Sequence, residues 1–399
     1  MDLSSTPVAQ RCHISFFGCT NAGKSSLINA ITNQEVSLVS SIKGTTTDPV
    51  KKTMEILPVG AVVLFDTAGF DDDSELGQLR IEKTKEILAK TDIAILVIDS
   101  KIGLKDKDNE LIKLFKEKNI PYLIVYNKSD LFKRSELSDN EISVSSKTKE
   151  NIELLKEKIA NFASSNKKEK FIITDKLQKK DTVILVIPID ESAPKGRIIL
   201  PQQNTLRELL DNNNKVICVQ EKELSEALDN LKTPPKLIIT DSQVFNKIKD
   251  TVPKDIFLTS FSILFARYKG NLINLIKGVK TINNLKDDDY ILISEGCTHK
   301  RQCNDIGSVK IPNWLQKFTN KKFNFEFTSG GSFPNDLSKY KLVVHCGGCM
   351  LNEKEMQNRL MIAKENNVAI VNYGILIAYM NGILKRSLEI FPEILNTIG

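Results

Sequence analysis

The chain of 399 residues is poor in three features, and each scarcity excludes a class of protein. Seven cysteines, an odd and low number, argue against a framework of disulfides. Only nine of the 56 basic residues are arginine. The basic residues, mostly lysine, are scattered among acidic residues, which is typical of solvated helix faces rather than of a nucleic-acid surface. No apolar run reaches the ~18 residues of a membrane span, so we expect none.

The rest of the composition is typical of a soluble globular protein, with 41% hydrophobic residues, 27% charged residues and a net charge of +6. The length predicts more than one domain. The first residues lack the apolar segment of a secretory signal, so the expected location is the cytoplasm. Thiols are reduced there, and paired cysteines more often bind metal than form disulfides.

Short apolar runs alternate with amphipathic helical patterns, which predicts an α/β protein with mostly parallel sheets. The first segment, 1–168, has the pattern of a doubly wound domain. Two smaller α/β segments follow, and we place them at 169–269 and 270–399. Cys218 lies in the middle of a predicted strand, and we expect it to be a small buried core residue.

The stretch from Gly18 to Ser25, GCTNAGKS, matches the phosphate-binding pattern G-x-x-x-x-G-K-S between a predicted strand and a predicted helix. Glycines let successive backbone N–H groups curl around phosphate oxygens, and the helix N-terminus adds a positive dipole end. In this pattern Lys24 reaches the β- and γ-phosphates and the Ser25 hydroxyl binds Mg²⁺. The other residues predicted to contact the nucleotide here are Asn21, Ala22, Gly23 and Ser26.

Two further motifs belong to the phosphate side of the predicted site. In the sequence DTAG, which follows an apolar run, Asp66 would hold Mg²⁺ through water and the Gly69 N–H would sense the γ-phosphate. The sequence KGTTTD lies between the first helix and the second strand, where a threonine hydroxyl is needed for Mg²⁺.

Two motifs predict that the base is guanine. NKSD ends in Asp130, whose carboxylate can accept two hydrogen bonds from the guanine edge, a contact that adenine cannot supply. SSK, after the strand EISV, can close over the base. The predicted base-contacting residues are Asn127, Lys128, Asp130, Ser145, Ser146 and Lys147. Five elements in this order, each at a strand end or a connecting loop, predict a GTPase domain.

This set of motifs closely resembles the TrmE/Era-like branch of the GTPases. By that resemblance Thr46 would bind Mg²⁺, with Thr45 and Thr47 as neighbouring alternatives. Asn21 stands where potassium-activated members carry an asparagine that helps bind K⁺, a cation that can stabilise the transition state without an arginine finger; the alternative is a turn-forming role. Phe70, not glutamine, follows DTAG, so we expect slow intrinsic hydrolysis. Candidates for orienting the water are Asp71, Asp72, Asp73 and Glu75.

Two cysteine segments follow predicted strands in the last third of the chain. Cys297 comes after DYILISE, and Cys346 and Cys349 come after KLVVH. Because the carboxyl ends of parallel strands line one crevice, we expect the two segments to meet there. Glycines beside the cysteines let the backbone approach a bulky inorganic group, and a following helix N-terminus favours thiolate charge.

Ligand types alone leave three chemistries open for these cysteines. A C-x-x-C pair can be a redox dithiol, but that leaves Cys297 and His299 unexplained. The three cysteines with His299 or His345 make a plausible structural zinc set. Three thiolates with a non-cysteine or open fourth position, Cys297, Cys346 and Cys349, fit an iron–sulfur cluster equally well.

Over essentially the whole chain, this combination of motifs resembles HydF, the family of maturation GTPases of FeFe-hydrogenases. The resemblance implies a GTPase domain at 1–168, a dimerisation domain at 169–269 and an iron–sulfur domain at 270–399. It implies that the three cysteines ligate a 4Fe–4S cluster whose fourth position is labile. Candidates for that position, or for groups that support it, are His299, His345 and Asp305, whereas Cys303 lies outside the motif and is expected to be a bystander.

The same resemblance implies a homodimeric scaffold that uses GTP, Mg²⁺ and K⁺. It would receive a diiron precursor from two radical-SAM maturases and deliver it to apo FeFe-hydrogenase. The leading alternative is a ribosome- or tRNA-associated GTPase with a zinc-binding tail, and the next is a redox enzyme. A membrane partner is not expected, and neither is a nucleic acid.

Overall fold

The computed structural model describes residues 6–33, 50–69, 83–165, 169–189, 198–297 and 305–396. The chain divides into two compact units, Met1–Glu169 and Lys170–Gly399. Each unit has its own hydrophobic clusters of buried residues. The predicted α/β architecture with mostly parallel sheets is confirmed.

The first unit contains one six-stranded sheet. Its strands are β1 (Cys12–Phe17), β2 (Val50–Ile56), β3 (Gly60–Asp66), β4 (Ile93–Asp99), β5 (Tyr122–Asn127) and β6 (Glu141–Ser143). Their order in the sheet is β2-β3-β1-β4-β5-β6, and every neighbouring pair is parallel except the antiparallel pair β2–β3.

Helices cover both faces of this sheet. They are α1 (Lys24–Thr32), α2 (Asp106–Glu117) and α3 (Ile152–Ser165), and residues 83–88 are also helical. Along β1, Ile14 and Phe16 pack into one hydrophobic cluster, whereas Phe17 packs into the other. Strands buried on both faces give the continuous apolar runs from which the sequence predicted them.

The second unit contains two four-stranded sheets. The strands are β7 (Thr182–Val186), β8 (Lys215–Val219), β9 (Leu237–Thr240), β10 (Phe257–Ser260), β11 (Tyr290–Glu295), β12 (Asn324–Ser329), β13 (Tyr340–His345) and β14 (Ala369–Asn372). The sheet orders are β10-β9-β7-β8 and β12-β11-β13-β14, and all neighbouring pairs are parallel. Residues of both sheets belong to one hydrophobic cluster.

The helices of the second unit are mostly short. They are α4 (Leu200–Asp211), α5 (Leu224–Asp229), α6 (Phe245–Ile248), α7 (Phe261–Lys269), α8 (Leu272–Val279), α9 (Ile311–Thr319), α10 (Glu353–Glu365), α11 (Tyr373–Met380), α12 (Leu384–Ser387) and α13 (Pro392–Leu395). After α8, the chain continues into a 3₁₀ segment, Lys280–Asn284. Across the described ranges, none of the helices combines the length and apolarity needed to cross a membrane.

One sequence prediction about the core is wrong. Cys218 was expected to be buried, but its side chain is exposed. Among the described residues, the strand that carries it, β8, lies at the edge of its sheet and pairs with β7 alone. A mid-strand position therefore does not guarantee burial here, because one side of an edge strand has no neighbouring strand.

Candidate functional site

The nucleotide motifs meet at the carboxyl ends of the parallel strands of the first unit. The phosphate-binding loop joins β1 to α1, DTAG leaves β3, and NKSD leaves β5. In the loop, the buried Lys24 donates from Nζ to the carbonyls of Gly18 and Cys19, both at 2.9 Å. Its ammonium therefore lies inside the curl of the loop, where phosphate oxygens bind in this motif.

Two of the predicted magnesium ligands are in direct contact. The Ser25 hydroxyl donates to Oδ2 of Asp66 at 2.6 Å. Burial raises the pKa of Asp66, and the hydrogen bond from Ser25 and the charge of Lys24 oppose that rise. Gly69, the last residue of DTAG, lies so close to the loop that a β-carbon on it would come within 2.1 Å of Thr20 Oγ1. The phosphate-binding loop and DTAG therefore lie side by side, at the position predicted for Mg²⁺.

Asn127 links the phosphate-binding loop to both base motifs. Its fully buried side chain donates from Nδ2 to the Ala22 carbonyl at 3.1 Å. Its Oδ1 accepts a hydrogen bond from the backbone N–H of Ser146 at 3.0 Å. The asparagine of NKSD is therefore a structural connector, which sets the distance between the phosphate and base ends of the site.

Lys128 makes a second link between the base loop and the phosphate loop. Its Nζ donates to the Asn21 carbonyl at 2.8 Å and to Oδ2 of Asp99 at 2.6 Å. Burial raises the pKa of Asp99, but the hydrogen bond and charge of Lys128 outweigh it and the pKa is lowered. Asp99, the last residue of β4, was not singled out from the sequence; its position at a strand end between two motif strands was the available signal.

The base end of the site is organised by two serines. Buried Ser145 donates to Oδ1 of Asp130 at 2.7 Å, so the SSK loop orients one oxygen of the carboxylate that is predicted to select guanine. Ser129 donates to Oε2 of Glu150 at 2.7 Å. Glu150 also pairs with Lys133 at 2.8 Å and ties the two base loops together. Sequence analysis missed Glu150. Of the remaining predicted residues, Ser26 and Lys147 are exposed near this site.

Several predicted residues lie outside the described ranges. They are Thr45, Thr46, Thr47, Phe70, Asp71, Asp72, Asp73 and Glu75 in the first unit, and His299 and Cys303 in the second.

The cysteine segments lie at the ends of adjacent parallel strands. Cys297 follows β11 and Cys346 follows β13, and the register pairs Ser294 of β11 with His345 of β13. The backbone N–H of Gly296 donates to Cys346 Sγ at 3.0 Å. Gly348 contributes a second N–H at 3.4 Å. Two segments fifty residues apart in sequence are therefore joined through one sulfur atom.

Carboxylates lie close to these thiols. Burial raises the pKa of the Tyr373 hydroxyl well above its usual range, and the nearby Cys346, Glu295, Asp305 and Cys297 raise it further. Tyr373 donates to Oε1 of Glu295 at 3.4 Å. Burial also raises the pKa of the Cys346 thiol to about 11, and the Gly296 N–H opposes that rise. The charges of two cysteines and two carboxylates thus act on one tyrosine hydroxyl, which is hydrogen-bonded to Glu295.

Asp305 begins a short π-helical segment, Ile306–Lys310. Its Oδ2 accepts hydrogen bonds from the backbone N–H and the hydroxyl of Ser308, both at 2.8 Å. Ser308 therefore holds the Asp305 carboxylate in a fixed orientation. Within the part of the chain that is described, no three His, Cys, Asp or Glu side chains surround a single ion position.

His345, which directly precedes Cys346, is held as a neutral group. Arg359, itself 1% exposed, donates from Nη1 to His345 Nε2 at 3.0 Å. The other ring nitrogen, Nδ1, then carries the proton and donates to the Cys346 carbonyl at 2.7 Å. Burial, followed by the charge of Arg359, lowers the pKa of His345 to about 3. With both ring nitrogens engaged, His345 orients the loop; the geometry favours its supporting role over that of a ligand.

Sequence analysis missed two buried cations in this region, Arg359 and Lys269. Arg359 also donates to Ser294 at 3.3 Å and to Glu355 at 3.0 Å. Burial lowers the pKa of Lys269 to about 8, and the neighbouring Cys349 and Cys346 oppose that shift. The signal that could have identified Lys269 is a lysine at the end of the largely apolar helix FSILFARYK.

Three family models match successive parts of the chain. A 50S ribosome-binding GTPase model matches residues 13–128. The hydrogen maturase F dimerization domain matches residues 172–270. The hydrogen maturase F tetramerization domain matches residues 273–390. The two hydrogen maturase F matches together span a little over half of the chain.

Curated GTPases are similar to part of the chain. The tRNA modification GTPase MnmE of Dechloromonas aromatica (strain RCB) is 30% identical over 167 residues, which is 40% of this chain and 37% of that protein. GTPase Der of Kosmotoga olearia is 38% identical over 125 residues, 30% of this chain and 28% of that protein. The chain thus spans 37% of the length of the first relative and 28% of the length of the second.

Solved structures that are similar to this chain include GTP-binding proteins. A probable GTP-binding protein engB is 25% identical and covers 39% of this chain and 100% of its own, with a TM-score of 0.32. A variant of Aquifex aeolicus Era bound to GDP.AlF4- is 16% identical and covers 80% of this chain and 92% of its own, with a TM-score of 0.33.

Proposed function

The chain belongs to the HydF-type GTPases, and from that premise we propose that it is a GTP-hydrolysing scaffold that holds a 4Fe–4S cluster and delivers a diiron precursor to apo FeFe-hydrogenase. The observation that carries the proposal is the pairing, on one chain, of an assembled set of nucleotide motifs with cysteines joined at adjacent strand ends. We assign GTP binding to 1–168, dimerisation to 169–269 and the cluster to 270–399.

In the first unit, each group has a defined task toward GTP. Lys24 binds the β- and γ-phosphates, and Ser25 and Asp66 hold Mg²⁺ together with Thr46. The contact between Ser25 and Asp66 supports this pairing, since one small ion can bridge both. Asp130, oriented by Ser145, selects guanine. Asn21 binds K⁺ in this proposal, and hydrolysis is slow because Phe70 replaces the usual glutamine.

In the second unit, the donor set fits an iron–sulfur cluster held by Cys297, Cys346 and Cys349. Backbone N–H groups on Cys346 Sγ stabilise the thiolate charge that such a ligand carries. Asp305 and His299 are the candidates for the fourth position, and Ser308 holds the carboxylate of Asp305 in a fixed orientation. When bound, such a cluster would supply an iron that can exchange a weak ligand for an incoming one.

The scaffold role requires contacts with other chains. We propose a homodimer, supported by the matches to dimerization and tetramerization domains and by the edge strand β8, which within the described ranges has a strand neighbour on one side only. The further partners are two radical-SAM maturases and apo FeFe-hydrogenase. In this proposal GTP acts as a switch on those contacts. Equal transfer rates in the GTP, GDP and nucleotide-free forms would contradict the switch.

Anaerobic reconstitution with iron and sulfide tests the proposal. We expect about four irons and four sulfides per chain and an EPR signal after reduction. Cys297→Ser, Cys346→Ser and Cys349→Ser should each reduce the iron content, whereas Cys218→Ser, at the exposed cysteine of the same unit, should not. Colourless protein that retains zinc in place of iron would rule out the cluster.

A further inference from the structure

A buried lysine holds the loop that carries two of the three candidate cluster cysteines. Lys269 is the last residue of α7 and is 4% exposed. Its Nζ donates to the backbone carbonyls of Leu351 at 2.7 Å, Cys349 at 3.0 Å and Gly348 at 3.3 Å. The lysine belongs to the segment matched by the dimerization domain, and the loop to the segment matched by the tetramerization domain.

The three contacts are a complete set for this side chain. An ammonium has three protons, and here three carbonyl oxygens accept them. A charge is costly to bury even when it is hydrogen-bonded, and a methionine would fill the same space without that cost. Packing alone therefore does not explain a lysine here. A site that collects negative charge from thiolates does explain it, because the ammonium then has a nearby charge to stabilise.

The orientation of the peptide groups connects Lys269 to one sulfur atom. The backbone N–H groups of Met350 and Cys349 hydrogen-bond to the Cys349 sulfur. These N–H groups belong to the two peptide units whose carbonyls, those of Cys349 and Gly348, face Lys269. A cation at the carbonyl end of a peptide polarises its N–H, and this strengthens a hydrogen bond to sulfur.

We propose that Lys269 is a positioning residue for the cluster, which fixes the 348–351 loop with its carbonyls turned to the ammonium and its N–H groups turned to the Cys349 sulfur. This rests on the proposed cluster-binding function. Hydrogen bonds to ligand sulfurs and nearby positive charge stabilise the reduced cluster, which carries one more electron than the oxidised form. Lys269 therefore makes the cluster easier to reduce and slows the loss of its iron from the protein.

The test uses the reconstituted full-length protein and Lys269→Met, with Lys277→Met as the matched control, because Lys277 is exposed on the neighbouring helix α8. Dithionite supplies the electron in an EPR-monitored redox titration. We expect the potential of Lys269→Met to fall by at least ~59 mV, the equivalent of a tenfold change for one electron. Iron loss to a chelator should be about tenfold faster. Lys277→Met should match the wild type in both.

A measurement without metal separates this proposal from the proposed function. In the apo protein, amide hydrogen exchange at residues 349–351 should be faster in Lys269→Met than in the wild type and in Lys277→Met. If the wild-type protein takes up no iron, the cluster assignment is refuted. The hydrogen-exchange result then still tests whether Lys269 holds the loop. Unchanged exchange, or an unchanged potential in folded Lys269→Met, overturns the role of Lys269. If Lys269→Met does not fold, Lys269→Gln replaces it in both measurements.

Discussion

At the scale of single residues, the nucleotide site depends on side chains that connect loops as much as on those that would touch the ligand. The buried amide of Asn127 bonds Ala22 of the phosphate loop and Ser146 of the SSK loop. Ser145 in turn orients the carboxylate of Asp130. The carboxylate proposed to select the base is therefore positioned by a neighbouring motif.

Asp130→Asn should weaken GTP binding by about 10²- to 10⁴-fold, because the guanine N1–H and N2–H groups lose a charged acceptor. Xanthine has a carbonyl where guanine has its amino group, so an asparagine amide can donate to it. We expect the variant to bind xanthosine triphosphate better than GTP, measured by calorimetry with both nucleotides. Loss of GTP binding without a gain for xanthosine triphosphate would show that Asp130 acts on loop structure instead.

The residues that sequence predicted and those it missed differ in the range of their interactions. Lys24, Asp66 and Asp130 belong to short motifs whose chemistry fixes residue type and spacing, so local sequence identifies them. The contact of Arg359 with His345 spans 14 positions, and that of Lys269 with Leu351 spans 82. No local pattern specifies such contacts; only the packing of the folded chain creates them.

At the scale of elements, strand ends bring the chemistry together in both units. The apolar runs CHISFF and IAILVID were predicted as strands and coincide with β1 and β4, because strands buried on both faces have an uninterrupted signal. The edge strand β2, with the sequence VKKTMEI, carries polar residues and lacked that signal. The same difference explains Cys218, which lies on the edge strand β8.

Gly18→Ala should destabilise the first unit more than Gly60→Ala. Both glycines have positive φ, +137° and +91°, so each alanine costs about 1–2 kcal/mol of backbone strain. A β-carbon at Gly18 would also lie 2.2 Å from the Val97 carbonyl, whereas one at Gly60 has no neighbour within 4 Å. We expect a further ~1–3 kcal/mol for Gly18→Ala, measured by urea unfolding. Equal losses for the two variants would show that the loop moves away from β4 without cost.

At the scale of the whole molecule, the chain consists of two compact units, and each carries one proposed function. The nucleotide motifs lie in Met1–Glu169, which has two hydrophobic clusters of its own. The cysteine segments, Lys269 and Arg359 lie in Lys170–Gly399, where residues of both sheets form one cluster. The boundary between the hydrophobic cores is therefore also the boundary between the nucleotide motifs and the cysteine segments.

This division predicts that each unit folds and binds its ligand alone. A fragment of residues 1–169 should bind GTP within about threefold of the full-length affinity, since its motif contacts are internal. A fragment of residues 170–399 should unfold cooperatively and take up the same iron per chain as the whole protein, because its cysteine loop is held by Lys269 and Arg359 from the same unit. Circular dichroism melting, calorimetry and iron analysis measure these outcomes. If the second fragment melts cooperatively but binds no iron, a group from the first unit is needed for the cluster. Cluster binding would then depend on both units, although each unit has its own hydrophobic core.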